Sequence, residues 1–235
     1  MKVRIFDDAD VVAREAAAII AIEARASIAS RGRFVMALSG GRTPWVMLRA
    51  LEGEDIPWDR VHIVQVDERV APAGDPDRNL THMYESLAGQ TSLRIHPMPV
   101  EMADLDAAAA RYAMTLEQIA GSPPVLDLVH LGLGPDGHTA SLVPGDPVLQ
   151  VDDADVSMTS VYQGRRRMTL TYPTLNRSRQ VLWLVTGDGK TEMIARLLAG
   201  DVSIPAGRIN SQRALLLADR AAAGQAFSDL KTDKE

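Results

Sequence analysis

Residues 125–145 read VLDLVHLGLGPDGHTASLVPG, an apolar run that ends in a glycine-rich turn. The run is almost continuously aliphatic, which is typical of a strand buried on both faces, in a parallel sheet that helices cover. Open sheets of this kind bind ligands at the carboxyl ends of their strands. Asp136 and His138 lie at that end, in a turn whose glycines permit a sharp change of backbone direction. The stretch therefore predicts an α/β fold and a candidate active site.

The rest of the chain repeats the order of strand, turn and helix. Two shorter strands over 156–162 and 167–171 suggest an antiparallel edge. The whole pattern predicts one domain over 1–235, with a doubly wound, mostly parallel, Rossmann-like sheet and helices on both faces. The other strands are predicted over 2–6, 33–38, 61–66, 180–185 and 214–217. A helix capped by Asp8 or Asp10 is predicted to run to about residue 30, and further helices are predicted over 45–51, 75–87, 103–120 and 191–198.

Composition limits the kinds of function. The 235 residues include no cysteine, so disulfides, thiolate metal sites and a cysteine nucleophile are excluded. We find no signal pattern after Met1 and no long uncharged apolar span, so we expect a soluble cytoplasmic protein. The net charge of −6 argues against binding to nucleic acid or to an anionic membrane. An anionic ligand would need a local concentration of cations and backbone N–H groups.

A second glycine turn, SGGRTP over residues 39–44, follows the predicted strand over 33–38. Thr43 as N-cap and Pro44 at the first helical position predict that a helix begins there. A strand, a glycine turn and a helix N-terminus together direct free N–H groups at one point, which suits a phosphate or carboxylate. A plain strand-to-helix turn is the alternative. We favour anion binding, because two adjacent glycines exceed what a cap requires.

Two further strand ends carry charge. The predicted strand over 61–66 runs into the triplet DER at 67–69, and charges at the carboxyl end of a buried strand are more often functional than solvated. Lys190 follows another strand and could meet an anion as a lone cation. Two nucleotide-binding motifs are incomplete. GLGPDG lacks the acid that should follow on a later strand, and GKT lacks the first glycine of a phosphate-binding loop.

His138 has the strongest chemical setting of the five histidines, because it stands beside an acid in the central turn. A lone histidine is commonly a cap whose ring bonds nearby backbone, and that alternative applies here. Three strand-end turns, one glycine-rich, one acidic and one with histidine, together favour an anion site with acid–base chemistry. His138 lacks histidine or cysteine partners at ligand spacing, so we favour a metal-free site. Ser39 and Ser141 do not lie in a GxSxG motif, so we favour water as the nucleophile.

Several motifs along nearly the whole chain resemble those of the 6-phosphogluconolactonase family. They are SGGRTP at 39–44, DER at 67–69, Asn79, GLGPDGHTAS at 132–141, RMTLT at 167–171 and Lys190. The resemblance implies a Rossmann-like α/β enzyme without cofactor. Such an enzyme hydrolyses 6-phosphoglucono-δ-lactone to 6-phosphogluconate in the oxidative pentose phosphate pathway. Three positions depart from the usual pattern: Arg42 and Arg78 stand where serine is common, and Val143 replaces a frequent phenylalanine.

The implied reaction assigns roles to the predicted site residues. His138 would be the base that takes a proton from water, and either Asp136 or Asp67 could orient it. The ligand would be a small sugar-phosphate lactone, and we expect a monomer that binds no nucleic acid, membrane or metal. The phosphate would be held by the second glycine turn and nearby cations, which are Ser39, Gly40, Gly41, Thr43, Arg69, Arg167 and Lys190.

Two alternatives exist on the same fold. The sister family of glucosamine-6-phosphate deaminase/isomerases shares the Asp-Gly-His turn, but there an Asn-Glu-Pro segment follows, whose glutamate supports the histidine. Here residues 141–145 read SLVPG, with no carboxylate before Asp146. A sugar-phosphate-sensing regulator is the other alternative, and the acidic net charge disfavours it. We therefore expect lactone hydrolysis.

Overall fold

The computed structural model describes residues 1–92 and 94–224. Within them, the strands form one sheet of seven and one of three. They are β1 (Lys2–Phe6), β2 (Phe34–Leu38), β3 (Val61–Gln65), β4 (Asp67–Arg69), β5 (Arg94–His96), β6 (Leu128–Leu131), β7 (Val156–Met158), β8 (Arg167–Leu170), β9 (Val181–Val185) and β10 (Ala214–Asp219). The large sheet has the order β1-β10-β9-β6-β2-β3-β5, and its neighbouring strands are parallel.

The helices lie on both faces of the large sheet, as predicted. They are α1 (Ala9–Arg31), α2 (Arg42–Glu52), α3 (Asn79–Ser86), α4 (Leu105–Ala120), α5 (Tyr172–Arg177), α6 (Thr191–Leu198) and α7 (Arg220–Ala223). Apolar residues of α1, α2 and α3 form a core on one face, and those of α4, α5 and α6 form a second core on the other. In the part of the chain described, the helices are too short or too polar to span a membrane.

The chain order reverses in the middle of the large sheet. β2 pairs with β3 on one side and with β6 on the other, although β6 follows only after β5 and α4. At such a reversal the connections leave toward opposite sides and open a crevice, which is where open α/β sheets bind ligands. β6 is shorter than the apolar run suggests, since Leu126 and Leu133 are buried but lie outside the strand. The stretch over residues 125–145 therefore lies at the switch point of the sheet.

The predicted N-cap at Thr43 is wrong. α2 begins at Arg42, and Gly41 is its N-cap. The φ of Gly41 is +133°, a conformation that residues with a Cβ rarely adopt, so the glycine completes the turn two residues before the predicted cap. The hydroxyl of Thr43 lies instead 2.6 Å from that of Thr186, in the turn after β9.

The predicted antiparallel pair of strands is confirmed as β7 and β8. It does not form an edge of the large sheet, because β8 pairs with β4 in a separate antiparallel sheet. β4 consists of Asp67, Glu68 and Arg69. Backbone pairing therefore fixes the direction of the charged triplet that follows β3.

The carboxylate of Glu68 is fully buried, which is rare for an acidic side chain. It accepts the backbone N–H groups of Arg69 at 2.8 Å and of Asn79 and Leu80 at 2.9 Å each. The guanidinium of Arg78, only 2% exposed, lies 3.1 Å from it. The bonds to Asn79 and Leu80 satisfy the first N–H groups of α3, so this helix starts there and the earlier start predicted from the sequence is wrong.

We expect Arg78→Ala to destabilise the fold by about 3–5 kcal/mol, because it leaves the buried Glu68 carboxylate without a countercharge. Arg220→Ala is the matched control. It removes an arginine from an exposed pair, in which the side chains of Arg220 and Asp7 are 68% and 78% exposed, and should change stability little. Urea unfolding followed by circular dichroism measures both. Equal losses in the two variants would contradict a stabilising role for the buried pair.

His130 lies in β6 with no exposed surface. Its Nδ1 accepts the Ser39 N–H at 3.3 Å, and its backbone carbonyl accepts the Ser39 hydroxyl at 3.0 Å. Burial lowers the pKa of His130 to about 3, because the charged ring would lose its hydration. The neutral ring therefore joins the end of β2 to β6 at the switch point.

Stability should fall as the pH is lowered from 7.5 to 5, because His130 titrates near pH 6.5 in the unfolded chain and only at about pH 3 in the folded one. The contribution of neutral His130 to the free energy of unfolding is fully present above the pKa of the unfolded chain. It is lost as the pH falls toward the pKa of the folded protein. The loss over this range should be about 2 kcal/mol. His130→Asn keeps an acceptor for the Ser39 N–H and should lack this loss. Urea unfolding of both proteins at the two pH values measures it, and identical pH dependence would contradict the assignment.

Candidate active site

A cavity of about 310 Å³ opens at the carboxyl ends of the central strands. Its walls come from the turns after β2, β6 and β9, from β4 and β8, and from the start of α3. A larger cavity of about 560 Å³ lies near β5 and α4, but none of the predicted site residues line it. The predicted residues that line the smaller cavity are Ser39, Gly40, Gly41, Asp67, Arg69, His138, Arg167 and Lys190.

The imidazole of His138 is held by its own turn. Its Nδ1 lies 2.5 Å from the Asp136 carboxylate, which also accepts the His138 backbone N–H at 3.1 Å. The Gly134 N–H donates to the His138 carbonyl at 2.8 Å, and a Cβ at Gly134 would collide with the ring. Because Nδ1 is engaged by a carboxylate, Nε2 is the nitrogen left to accept a proton. The turn thus presents His138 as a base.

Asp136 is suited to support that base. Burial alone would raise the pKa of Asp136, but the backbone N–H and the ring of His138 both donate to its carboxylate and hold that pKa below its usual range. The carboxylate therefore stays ionised near neutral pH. An anion at Nδ1 fixes the tautomer of the ring and stabilises the imidazolium that forms when Nε2 takes a proton.

Asp67 also lines the cavity, but other groups hold it. Its carboxylate accepts the Ser141 hydroxyl at 2.5 Å and the Asn79 side-chain amide at 3.3 Å. The sequence leaves open whether Asp136 or Asp67 orients His138, and in the structure the contact with the ring is made by Asp136. Asp67 is a fixed carboxylate of the cavity wall, directed by Ser141 and Asn79.

Three cations line the cavity, Arg69, Arg167 and Lys190, together with one carboxylate, Asp67. Burial lowers the pKa of both Arg167 and Lys190, which indicates that their charged forms are partly stripped of water. The Nε of Arg167 is buried and finds no hydrogen-bond partner in the residues described. Incomplete solvation and the excess of positive charge both favour an anionic ligand.

The second glycine turn is less open to a ligand than the sequence predicts. The N–H and hydroxyl of Ser39 are both bonded to His130. Thr43 does not line the cavity, because α2 begins before it and its hydroxyl faces another turn. Gly40 lies directly against Asn79, where a Cβ would collide with the amide. The turn therefore forms a wall of the cavity, while Thr43 takes no part in it.

Two residues at the site carry no role in the sequence prediction. Asn79 lines the cavity, and its side-chain amide donates to Asp67. It is among the residues that resemble the family, but its position in the sequence does not indicate what it does. The centroids of the Tyr162 and His138 rings lie 5.8 Å apart. Nothing local in the sequence indicates this, because Tyr162 approaches His138 only through the fold.

Comparison with known proteins identifies the family to which the chain is similar. Residues 7–217 match the family described as glucosamine-6-phosphate isomerases/6-phosphogluconolactonase. A curated 6-phosphogluconolactonase from Mycobacterium tuberculosis is 36% identical, over 95% of this chain and 97% of that protein. The crystal structure of a 6-phosphogluconolactonase from Thermotoga maritima has a TM-score of 0.81 and 25% identity, covering 93% of this chain and 98% of the other.

A monomeric glucosamine-6-phosphate deaminase of known structure also has a TM-score of 0.81, at 21% identity, with 95% of this chain and 99% of the other covered. The fold alone therefore does not separate the two activities. The family match covers most of the chain, and the curated relative matches it over nearly its whole length. This chain belongs to the family of glucosamine-6-phosphate isomerases and 6-phosphogluconolactonases.

Proposed function

We propose that this chain is a 6-phosphogluconolactonase, which hydrolyses 6-phosphoglucono-δ-lactone to 6-phosphogluconate in the oxidative pentose phosphate pathway. One observation carries the proposal: a histidine bonded to a carboxylate shares a cavity with an excess of cations. The first group suits ester hydrolysis and the second suits a phosphate. The name of the curated relative supports the same reaction.

The reaction begins when Nε2 of His138 accepts a proton from water, whose oxygen attacks the lactone carbonyl carbon. The tetrahedral intermediate carries an oxyanion, which donors in the cavity stabilise. The bond between this carbon and the ring oxygen then breaks, and the His138 imidazolium returns its proton to that oxygen. The products are a hydroxyl and a carboxylic acid, which loses its proton to solvent, and His138 is neutral again.

The carboxylate of Asp136 acts through Nδ1 and never leaves its anionic form during the cycle. A positioned imidazole is sufficient to activate water against an ester carbonyl, so we propose that the reaction needs no metal ion. Activity that persists after dialysis against EDTA would agree with this.

The phosphate supplies the binding energy that positions the lactone. Arg69, Arg167 and Lys190 line the cavity, and burial partly dehydrates Arg167 and Lys190, so a phosphate between the three replaces water contacts that these two have lost. Energy gained at this remote group holds the carbonyl carbon at His138. The fixed carboxylate of Asp67 can accept a hydrogen bond from a sugar hydroxyl.

This chain lacks a carboxylate in the place where a deaminase needs one to support the histidine. Asp146 is the first acid after the His138 turn, and its carboxylate accepts the N–H groups of Val148 at 2.9 Å and Ser160 at 3.0 Å. It lines a different cavity. Isomerisation needs a base placed for proton transfer between carbons, whereas lactone hydrolysis needs only activated water. The arrangement therefore favours hydrolysis.

We also propose that the protein acts as a single-domain monomer in the cytoplasm, on a small molecule and without nucleic acid or membrane. The net charge of −6 supports the expected absence of nucleic-acid and membrane partners, because it opposes binding to polyanions and anionic lipid.

Freshly generated 6-phosphogluconolactone should be hydrolysed well above its spontaneous rate. Unphosphorylated gluconolactone should be a far poorer substrate, because it lacks the group that the cations bind, and inorganic phosphate should compete weakly. Glucosamine-6-phosphate should give no ammonia. Comparable kcat/KM for the two lactones would contradict the anion site. Release of ammonia at a rate similar to that of lactone hydrolysis would assign the chain to the sister activity.

His138→Ala should keep the fold and lose about 10²–10⁴-fold in kcat, the contribution of a positioned base. His62→Gln is the matched control. His62 lies near the start of β3, at the opposite end of the strand from the site, so its replacement should leave kcat unchanged. Steady-state kinetics and thermal unfolding of both variants measure this. Near wild-type kcat in His138→Ala would remove His138 from the mechanism.

A further inference from the structure

The turn between β7 and β8 holds Tyr162 in a defined place. Its N–H donates to the Arg165 carbonyl at 2.9 Å, and the Arg165 N–H donates back at 3.3 Å. The two residues between them, Gln163 and Gly164, have φ of +51° and +80°. Positive φ at both central positions is typical of the tight two-residue turn whose twist matches that of paired antiparallel strands. Tyr162 therefore lies at the base of a well-defined turn.

The ring of Tyr162 contacts two groups of the site at once. Its plane makes an angle of 67° with the imidazole of His138, an edge-to-face arrangement with centroids 5.8 Å apart. The Cζ of Arg167 lies 4.9 Å from the same centroid, within the range of a cation–π interaction. One aromatic ring thus bridges the proposed base and a proposed phosphate ligand.

Polar contacts tie this turn to the other side of the cavity. Arg167 donates to the Gln163 side chain at 2.9 Å, and Arg165 forms an ion pair with Asp77 at 3.1 Å. The backbone carbonyl of Asp77 accepts a hydrogen bond from Arg69 at 3.0 Å. Both arginines of the cavity are therefore linked to the segment that carries Tyr162.

We propose that Tyr162 is a positioning residue for the hydrolysis proposed above, on which this inference rests. Its ring sets the imidazole of His138 and the guanidinium of Arg167 relative to each other. A substrate whose phosphate binds Arg167 then has its carbonyl carbon at Nε2 of His138. The ring acts through its aromatic surface, because both contacts are made to the ring and not to the hydroxyl.

Three variants test this role. Tyr162→Ala should lower kcat about tenfold and raise KM for the phosphorylated lactone several-fold, because it frees both the base and the phosphate ligand. Inorganic phosphate should also inhibit this variant more weakly than it inhibits the wild type. Tyr162→Phe, which keeps the ring, should stay within about twofold of the wild type. Val161→Ala, at an exposed neighbour on the same turn, should change neither constant.

The outcomes separate this inference from the proposed function. A wild-type protein without lactonase activity would overturn the proposed function. Calorimetric binding of inorganic phosphate to the wild type and to Tyr162→Ala would then still test whether the ring positions Arg167. With an active wild type, unchanged kcat and KM in Tyr162→Ala would overturn the inference. So would a loss in Tyr162→Phe as large as in Tyr162→Ala. Equal losses in Tyr162→Ala and Val161→Ala, with equally lowered melting temperatures, would show a purely structural role and also overturn it.

Discussion

A carboxylate without access to water is stable only when donors surround it, and Glu68 obtains its donors from several segments of the chain. They are the Gln65 side chain, backbone N–H groups of β4 and α3, and the Arg78 guanidinium. These segments cannot move independently without exposing the charge. Two of the three bonded backbone N–H groups belong to Arg69 and Asn79, both of which line the cavity, so the buried acid fixes one wall of the site.

Elements whose signals are local could be predicted from the sequence. α1 is capped by the Asp8 side chain and ends at Gly32 in the left-handed conformation, and α6 has the predicted bounds. Elements whose limits depend on distant residues could not. The start of α3 depends on Glu68 in another strand, and β5 is a three-residue edge strand of the sequence RIH, which has no apolar run. The small sheet depends on pairing between β4 and β8, far apart in sequence.

The same distinction applies to the site. Parallel strands bring their carboxyl ends to one edge of a sheet, so the glycine, acidic and histidine turns could be expected to meet. The choice between Asp136 and Asp67 needs coordinates, because it depends on which carboxylate reaches Nδ1 of His138. Thr43 illustrates the opposite error, since it carries a good local signal for a cap, but the N-cap of the helix is Gly41, two residues earlier. Tyr162 has no signal at all, because a turn of the second sheet brings it to His138.

The cavity has an excess of positive charge although the chain has a net charge of −6, and the structure explains how the two coexist. Acids near the site are already engaged: Glu68 by Arg78, Asp136 by His138, and Asp67 by neutral donors. Charges more than about 8 Å apart are largely screened at physiological ionic strength, so an anion inside the cavity responds to its cations and not to the net charge of the chain. Burial leaves two of those cations, Arg167 and Lys190, partly dehydrated, a cost that a bound phosphate would offset. In the proposed reaction, this free energy orients the rest of the ligand and places the reactive carbon of a small phosphorylated lactone against His138, the one imidazole among the described residues of the cavity wall.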